Sequence, residues 1–573
     1  MSWKFLAACL TLTSSPAIAQ TTPPPAATAP AAPVEAFPVT IVVDAAKSSG
    51  PLPRMWRFFG ADEPNYATMK DGRKLMKHLG ELSPGSVYFR THNLLSSGDG
   101  TSAFKWGSTN AYTEDKQGNP VYNWTIVDGI FDSYLARGVR PYLQIGFMPQ
   151  ALSSAPANVP YQHEWRPGFP YNMIGGGWGY PPKDYDKWGE LVYQWTKHNV
   201  ERYGREEVEK WYFEVWNEPD GPDYWKATPE EFFKLHDYAI AAVKRALPTA
   251  RVGGADVASA NNARYMEGFM EHVANGKNYA TGETGTPTDF IAFHAKGSPQ
   301  FVDGHVRMGI SNHLQRINTG FRKVAASPAH KAKPIIIGES DPEGCAACAG
   351  PQMGYRNGLM YSSYTAASFA RKWDLAERHG VKLEGVLTWA FTFEDQPWFA
   401  GFRQLASNGI DLPVLNIFRM YEKMGSERLD AASSSQVALD DIVAKGVRAG
   451  PDVGVLATRD AKKLAIMVWH YRDDDVPGPD AAIALDIAGL GRAFNGARVT
   501  HWRVDERHSN AFDHWKRMGS PAAPTFPQYQ ELEKASQLVA VGPEQSLATK
   551  GGKARLDFNL PLKGVSLIVI EAK

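Results

Sequence analysis

From residue 86 to residue 395 the chain alternates short apolar runs with longer amphipathic ones, and few folds accept that rhythm. The apolar runs are "SVYFRTHN" (86–93), "RPYLQIGFMP" (140–149), "WYFEVW" (211–216), "ARVGGADV" (250–257), "DFIAFHAKG" (289–297), "KPIIIGES" (333–340) and "KLEGVLTWAFTFED" (382–395). Rich in aromatic and β-branched residues, they read as strands buried on both faces, as in a parallel sheet. Between them, "TIVDGIFDSYLARG" (125–138) and "DYDKWGELVYQWTKHNVERYG" (184–204) read as helices closed by Gly138 and Gly204, and "PEEFFKLHDYAIAAVKRALP" (229–248) is also helical. Repeated over about 350 residues, this predicts an α/β chain built on a (β/α)8 TIM barrel. A doubly wound sheet would want a Gly-rich phosphate turn after an early strand, and the sequence has none.

After about residue 425 the pattern changes. "KKLAIMVWHY", "AAIALDI", "ARVTHWRVD", "ARLDFNL" and "VSLIVIEA" read as short strands without intervening helices, which predicts an antiparallel β-sandwich over 425–573. "VTIVVDA" (39–45) precedes the barrel, so segment 38–55 is expected to add a strand to that sandwich and 56–424 to form the barrel.

The N-terminus has a short basic start, an apolar "FLAACLTL" and a small-residue "AIAQ", the signature of a secretory signal over 1–19. "LAAC" resembles a lipoprotein box, but only a very short apolar stretch precedes Cys9. Residues 20–37 are a Pro/Ala-rich linker, and a secreted or periplasmic location is expected. No later run is long and apolar enough to span a bilayer. With Lys plus Arg equal to Asp plus Glu at 61 each, nothing electrostatic points to nucleic acid or an anionic membrane. Cys345 and Cys348, in "EGCAACAG", suit a loop disulfide in an oxidising compartment, with free thiols the alternative; zinc would need further ligands nearby. The "DDD" run at 473–475 reads as a solvated loop rather than a calcium site.

The chemistry sits at strand ends. Pro219 stops the strand in "FEVWNEPD" and leaves Asn217 and Glu218 at its C-terminal end, while "PIIIGES" ends on Glu339. The C-terminal ends of barrel strands are where catalytic side chains gather. Two carboxylates there are the minimum for glycoside hydrolysis: one protonates the leaving oxygen, the other attacks the anomeric carbon or activates water. Each taken alone is equally a helix cap or a rim salt bridge. Partial burial and a neighbouring carboxylate are expected to raise the pKa of the acid. No metal or cofactor is called for, and the partner is an oligosaccharide substrate.

These stretches resemble glycoside hydrolase family 39, within the clan of retaining glycosidases on (β/α)8 barrels. The matching motifs are "RTHNLL", "QIGFMPQAL", "PPKDYDKWGELV", "WYFEVWNEPD", "FIAFHAKG", "IIIGES" and "LTWAFTFEDQ", with "FRMYEKMGSERL" and "DERHSNAFDHWKRMGSP" in the tail. The resemblance implies Glu218 as acid/base, Glu339 as nucleophile and Asn217 on the sugar 2-hydroxyl. It places His92, His294, Phe147 and Trp389 in the pocket and Glu394 and Asp395 on the distal hydroxyls. His92 and His294 are otherwise ordinary structural histidines, and Phe147 and Trp389 ordinary rim core. The implied activity is that of an exo-acting β-D-xylosidase, with an α-L-iduronidase-like enzyme or a non-catalytic sugar-binding barrel as alternatives. Lys296 bears on that choice. The family's iduronidases carry a similar His-x-Lys-Gly, where the Lys meets a uronate, and some xylosidases have an aromatic residue there. A buried ammonium needs a substrate carboxylate or a protein acid, and Glu394 or Asp395 is the expected protein acid.

Overall fold

The computed structural model describes residues 35–163, 165, 173–389 and 391–572; the expected leader, Cys9 and the linker through residue 34 lie outside them. The chain opens with β1 (Phe37–Pro51) and then closes an eight-stranded parallel barrel. Its strands are β2 (Phe58–Ala61), β3 (Val87–Thr91), β4 (Val139–Ile145), β5 (Tyr212–Val215), β6 (Arg251–Val257), β7 (Phe290–His294), β8 (Pro334–Glu339) and β9 (Lys382–Trp389). A long helix follows each: α1 (Lys70–Leu82), α2 (Thr125–Leu135), α3 (Tyr185–Tyr203, with a single extra turn at Arg205–Val208), α4 (Pro229–Ala246), α5 (Met266–Asn275), α6 (Ile310–Ala326), α7 (Leu359–His379) and α8 (Pro413–Glu422). Seven of the strands were legible as apolar runs. The eighth, β2, is four residues long and therefore shows no period of its own.

Strand side chains alternate between two cores, which is why the runs are apolar throughout. Phe213, Val215, Ile335 and Ile337 point outward to the helices. Phe58, Tyr142, Tyr212, Phe290, Ile336 and Leu387 point inward, with Tyr88 packed against them. The helix ends follow their local chemistry. Asp184 caps α3 by accepting from the amides of Asp186 and Lys187, and Gly204 closes it at φ +85°, a conformation that favours glycine.

The second region is a ten-stranded sheet. From one edge it runs Val539–Ala540, β14 (Arg498–Val504), β16 (Val565–Glu571), β12 (Lys463–Tyr471), β11 (Asp452–Asp460), β10 (Glu427–Ser433), β1, β13 (Ala481–Ala488) and β15 (Ala554–Leu560), and the tenth strand, Gln545–Ser546, also pairs with β14. It is mostly antiparallel, but β1 pairs in parallel with β13, from Phe37 opposite Ala481 to Asp44 opposite Ala488. Across its other edge β1 is antiparallel to β10. On β12, Leu464, Ile466 and Val468 enter the sheet's own core while Ala465, Met467 and Trp469 join the barrel's outer core, so both faces are covered.

Two expectations for the tail need correction. The region is not free of helices: after the short helix Leu439–Lys445, α9 (Ala511–Arg517) and α10 (Phe526–Ala535) interrupt it. Their sequences are short and largely polar, and Asn510 caps one while a Thr525/Gln528 capping box starts the other. Nor is the "DDD" run solvated. Asp473 is buried and accepts from the Tyr471 hydroxyl at 2.7 Å and the Ile310 amide at 3.0 Å, tying the sheet to the start of α6. Asp474 is buried against Arg307, at 2.6 Å, and His305, at 2.9 Å. Cys345 and Cys348 form a disulfide in the loop after β8.

Candidate active site

The C-terminal ends of the barrel strands converge on one buried cluster. Glu339 is the last residue of β8, and the glycine before it is there for space, because a Cβ at Gly338 would collide with the Asp256 carboxylate. Glu218 lies three residues past β5, on a backbone with φ +71° at Trp216 and +45° at Glu218. Non-glycine residues held there cost on the order of 1–3 kcal/mol each and cluster at functional sites. The turn is pinned by the Glu218 amide donating to Asp256 O at 3.0 Å and by the Trp216 indole donating to Tyr224 O at 3.0 Å.

Lys296 joins the two glutamates. Its Nζ is 2.7 Å from Glu218 Oε1 and 2.5 Å from Glu339 Oε2. A carboxylate oxygen of each glutamate and a ring nitrogen of His294 lie within 4.8 Å of one another. Such a trio has the donor set for a metal, but here the Lys296 ammonium already supplies the cation between the carboxylates. The expected partners Glu394 and Asp395 are elsewhere. Glu394 Oε1 accepts from the backbone amides of Asp71, at 2.5 Å, and Gly72, at 2.7 Å, serving the orphan donors at the start of α1, and Asp395 is exposed.

Around this trio stand Arg90, Tyr142, Glu214 and Asp256, which the sequence reading did not single out. His294 places Nδ1 2.7 Å from Glu218 Oε1 and Nε2 2.9 Å from Asp256 Oδ2. Arg90 donates Nε to Glu214 at 2.7 Å and Nη2 to Asn217 Oδ1 at 3.1 Å, is ion-paired with Asp256, and lies 3.7 Å from Glu339. The Tyr142 hydroxyl donates to Glu214 at 2.6 Å. Arg90, Glu214 and Asp256 each interrupt an otherwise apolar strand. A charge at an inward position near a barrel strand's end was the signal that would have found them.

The resulting electrostatics reverse one expectation. Burial alone would raise the Glu218 pKa, but the Lys296 ammonium and His294 outweigh it and hold the carboxyl down to about 2. Glu339 is likewise buried, yet His294, Lys296 and His92 keep it well below the usual carboxylate range. Burial works against a charge on His294 also, while Asp256 and Glu339 lift it to about 10, so both ring nitrogens carry protons. Burial pushes Glu214 up to about 8 against the pull of Arg90. With Glu214 neutral, Arg90, His294 and Lys296 balance Glu218, Glu339 and Asp256. A dry cluster of charges is tolerable on those terms.

The remaining candidates line the mouth. His92 lies 3.6 Å from Glu339 and stacks against Trp389, ring centroids 4.5 Å apart. Burial lowers its pKa, so its Nδ1–H serves Asp62 at 3.1 Å and its Nε2 accepts from Arg90 at 3.3 Å. Trp389 leans over Gly60, where any Cβ would strike the indole. Phe147 packs on Trp178 and Trp216, at 4.5 and 5.1 Å, and lines a narrow cavity with His92, Trp178 and Tyr224. The structure thus brings together His92, Phe147, Asn217, Glu218, His294, Lys296, Glu339 and Trp389, and leaves Glu394 and Asp395 outside.

Comparison with known proteins matches this arrangement over nearly the whole chain. The model of glycosyl hydrolases family 39 matches residues 39–552. A β-xylosidase from Geobacillus stearothermophilus is 28% identical over 90% of this chain and 92% of its own. The human α-L-iduronidase is 26% identical over 95% of this chain and 80% of its own. Among solved structures, a monomeric β-xylosidase from Caulobacter crescentus CB15 superposes with a TM-score of 0.70 at 22% identity, covering 93% of this chain and 99% of that one.

Proposed function

Since this chain belongs to glycosyl hydrolases family 39, we propose that it is a retaining exo-glycosidase that releases xylose from the non-reducing ends of xylo-oligosaccharides. The observation that carries the mechanism is the Glu218–Lys296–Glu339 bridge, with carboxylate oxygens within 4.8 Å. That upper limit suits the ~5–5.5 Å of retaining pairs better than the ~6.5–9.5 Å that leaves room for an attacking water in inverting ones. Glu339 attacks the anomeric carbon while Glu218 gives its proton to the leaving oxygen, and a glycosyl ester forms on Glu339. Glu218, now a carboxylate, takes a proton from water; the water oxygen attacks the same carbon and the ester bond breaks. Asn217 is suited to the sugar's 2-hydroxyl, because its Nδ2 is buried with no hydrogen-bond partner among the described residues.

Lys296 sets a condition on the first step. While it sits on Glu218, that carboxyl holds no proton to give. The incoming sugar must move the ammonium off Glu218, after which burial is opposed by His294 alone and the carboxyl's pKa rises toward the acid form.

The α-L-iduronide reading shares the equatorial leaving bond. It is disfavoured because Lys296 already has two carboxylate partners in the protein and needs no uronate to justify its burial. Export through the N-terminal leader, and with it a place in xylan breakdown outside the cytoplasm, belongs to the same proposal.

A panel of aryl glycosides tests the substrate, with the xyloside expected to be cleaved fastest. A uronide cleaved faster would replace the xylosidase reading. Glu218→Ala tests the mechanism. Its kcat/KM should fall by about 10²–10⁴ for xylobiose, whose leaving group needs a proton, and far less for a dinitrophenyl xyloside, with azide restoring turnover. Equal losses on both leaving groups would remove Glu218 as the acid.

A further inference from the structure

At the mouth of the barrel lies an ion pair that the two-glutamate reaction does not use. Asp62 follows β2 and Lys105 lies in the loop between β3 and α2; both are buried. Asp62 Oδ2 is paired with Lys105 Nζ. Its other oxygen accepts from the Trp389 indole at 2.9 Å and faces His92 Nδ1 at 3.1 Å. The loop holds Lys105 deliberately: its φ is +54°, its amide donates to Glu63 at 2.6 Å, and its carbonyl lies 3.1 Å from His163 Nε2. Asp62 takes one of the three ammonium protons, leaving donors for a ligand.

Both side chains line the cavity walled by Trp106, Phe147, Trp178 and Tyr224. The reacting carbon belongs between Glu218 and Glu339, and this cavity adjoins them through His92, 3.6 Å from Glu339; its free volume is about 10 Å³, so the far edge of a bound pyranose reaches the pair by widening it. We propose that Asp62 and Lys105 are the specificity-determining residues of the non-reducing-end subsite, gripping the equatorial 3- and 4-hydroxyls of the terminal sugar. This rests on the glycosidase reading above and fills the place that the sequence had given to Glu394 and Asp395.

The chemistry matches a neutral diol. One hydroxyl donates to the carboxylate and the other accepts from the ammonium, so both charges keep a partner when the sugar displaces water. An axial 4-hydroxyl would carry its oxygen away from the pair. Burial lowers the Lys105 pKa to about 8 even with Glu339 nearby, so the ammonium persists at neutral pH.

Lys105 is the residue to change, because Asp62 also orients His92. The experiment compares Lys105→Met with wild type on an aryl β-D-xyloside and on its 4-epimer, the aryl α-L-arabinopyranoside, which has the same anomeric geometry. Lys105→Met is expected to lose about 10- to 100-fold in kcat/KM on the xyloside, as for a hydrogen bond to a charged group, and to lose several-fold less on the 4-epimer. The preference for xyloside should therefore collapse, and Lys105→Arg should restore part of it. Equal losses on both epimers, with or without a lowered Tm, would make Lys105 merely structural and overturn the inference alone. A wild type inert on every aryl glycoside would overturn the hydrolase reading and this inference with it.

Discussion

Tyr88 and Arg90 stand two residues apart on one barrel strand, and Tyr212 and Glu214 two residues apart on another. The first of each pair belongs to an aromatic floor and the second to a charged layer. In the floor, Tyr212 meets Tyr88 at 4.8 Å, Tyr142 at 5.2 Å, Phe290 at 5.4 Å and Phe58 at 5.7 Å between ring centroids. One step up, Arg90 and Glu214 follow Tyr88 and Tyr212 on the same strands, and Asp256, His294 and Glu339 join them from the ends of β6, β7 and β8, all buried. Because strand side chains repeat every two residues, a single alternation carries the interior from a packed core to a site of paired charges. The floor is held by packing, which is indifferent to pH and forgiving of small changes in shape. The charged layer is held by partners, and any loss leaves an orphan.

The sharpest way to break this contrast is to damage each layer once. Arg90→Met leaves the Glu214 carboxyl without its guanidinium donor and Asp256 with His294 as its remaining cation, and should cost about 3–5 kcal/mol of stability. Phe58→Ala leaves a cavity in the floor and should cost about the same. Activity should separate them. Arg90→Met should lose kcat severely, since Arg90 holds Asn217 and faces Glu339, while Phe58→Ala should keep most of its kcat below its own Tm. If both variants lose kcat alike, the layers are not independent.

A smaller effect concerns the ammonium. Lys296 holds Glu218 low, so Lys296→Met should raise the acid's pKa and let it stay protonated to higher pH. An opposite charge at such range is worth about 1–3 pKa units, so the alkaline limb of kcat/KM should move up by about that much. An unmoved limb in an active variant would mean that Lys296 does not control the acid.

The last effect is on stability, spread over several pH units. His294 titrates near 10 in the fold and near the ordinary histidine value of about 6.5 when unfolded. Its stabilisation is therefore complete below about pH 6.5 and drains away as pH rises toward 10. Thermal melts of the wild type should decline across that window, and His294→Gln, lower at pH 6, should decline less. Parallel curves would show that the imidazolium is not stabilising.

Much of this molecule was written in its periodicity. Seven apolar runs, each followed by a helix, leave a parallel barrel as the architecture, because runs covered on both faces need helices outside and side chains inside. Glu218 and Glu339 were legible for the same reason: Pro219 and the end of "PIIIGE" mark strand ends, and a barrel gathers strand ends at one mouth. What the linear pattern could not carry was pairing across strands. Glu394 sits in a family-like motif but spends its charge on the first turn of α1, a helix more than 300 residues earlier in the chain. Lys296 was placed on the right face, yet its partners were chosen by the curvature of the barrel, which sets β7 next to β8 with Glu339 and one strand removed from β5, so that Lys296 reaches Glu218 across the mouth. That choice inverted the expected shift of Glu218, since proximity of a carboxylate can be read from motifs while proximity of an ammonium had to be built. Sequence determines which groups reach the mouth, through local hydrogen bonding and a two-residue period; only closure of the sheet decides which charge faces which, because electrostatic energy depends on distances that no spacing along the chain records.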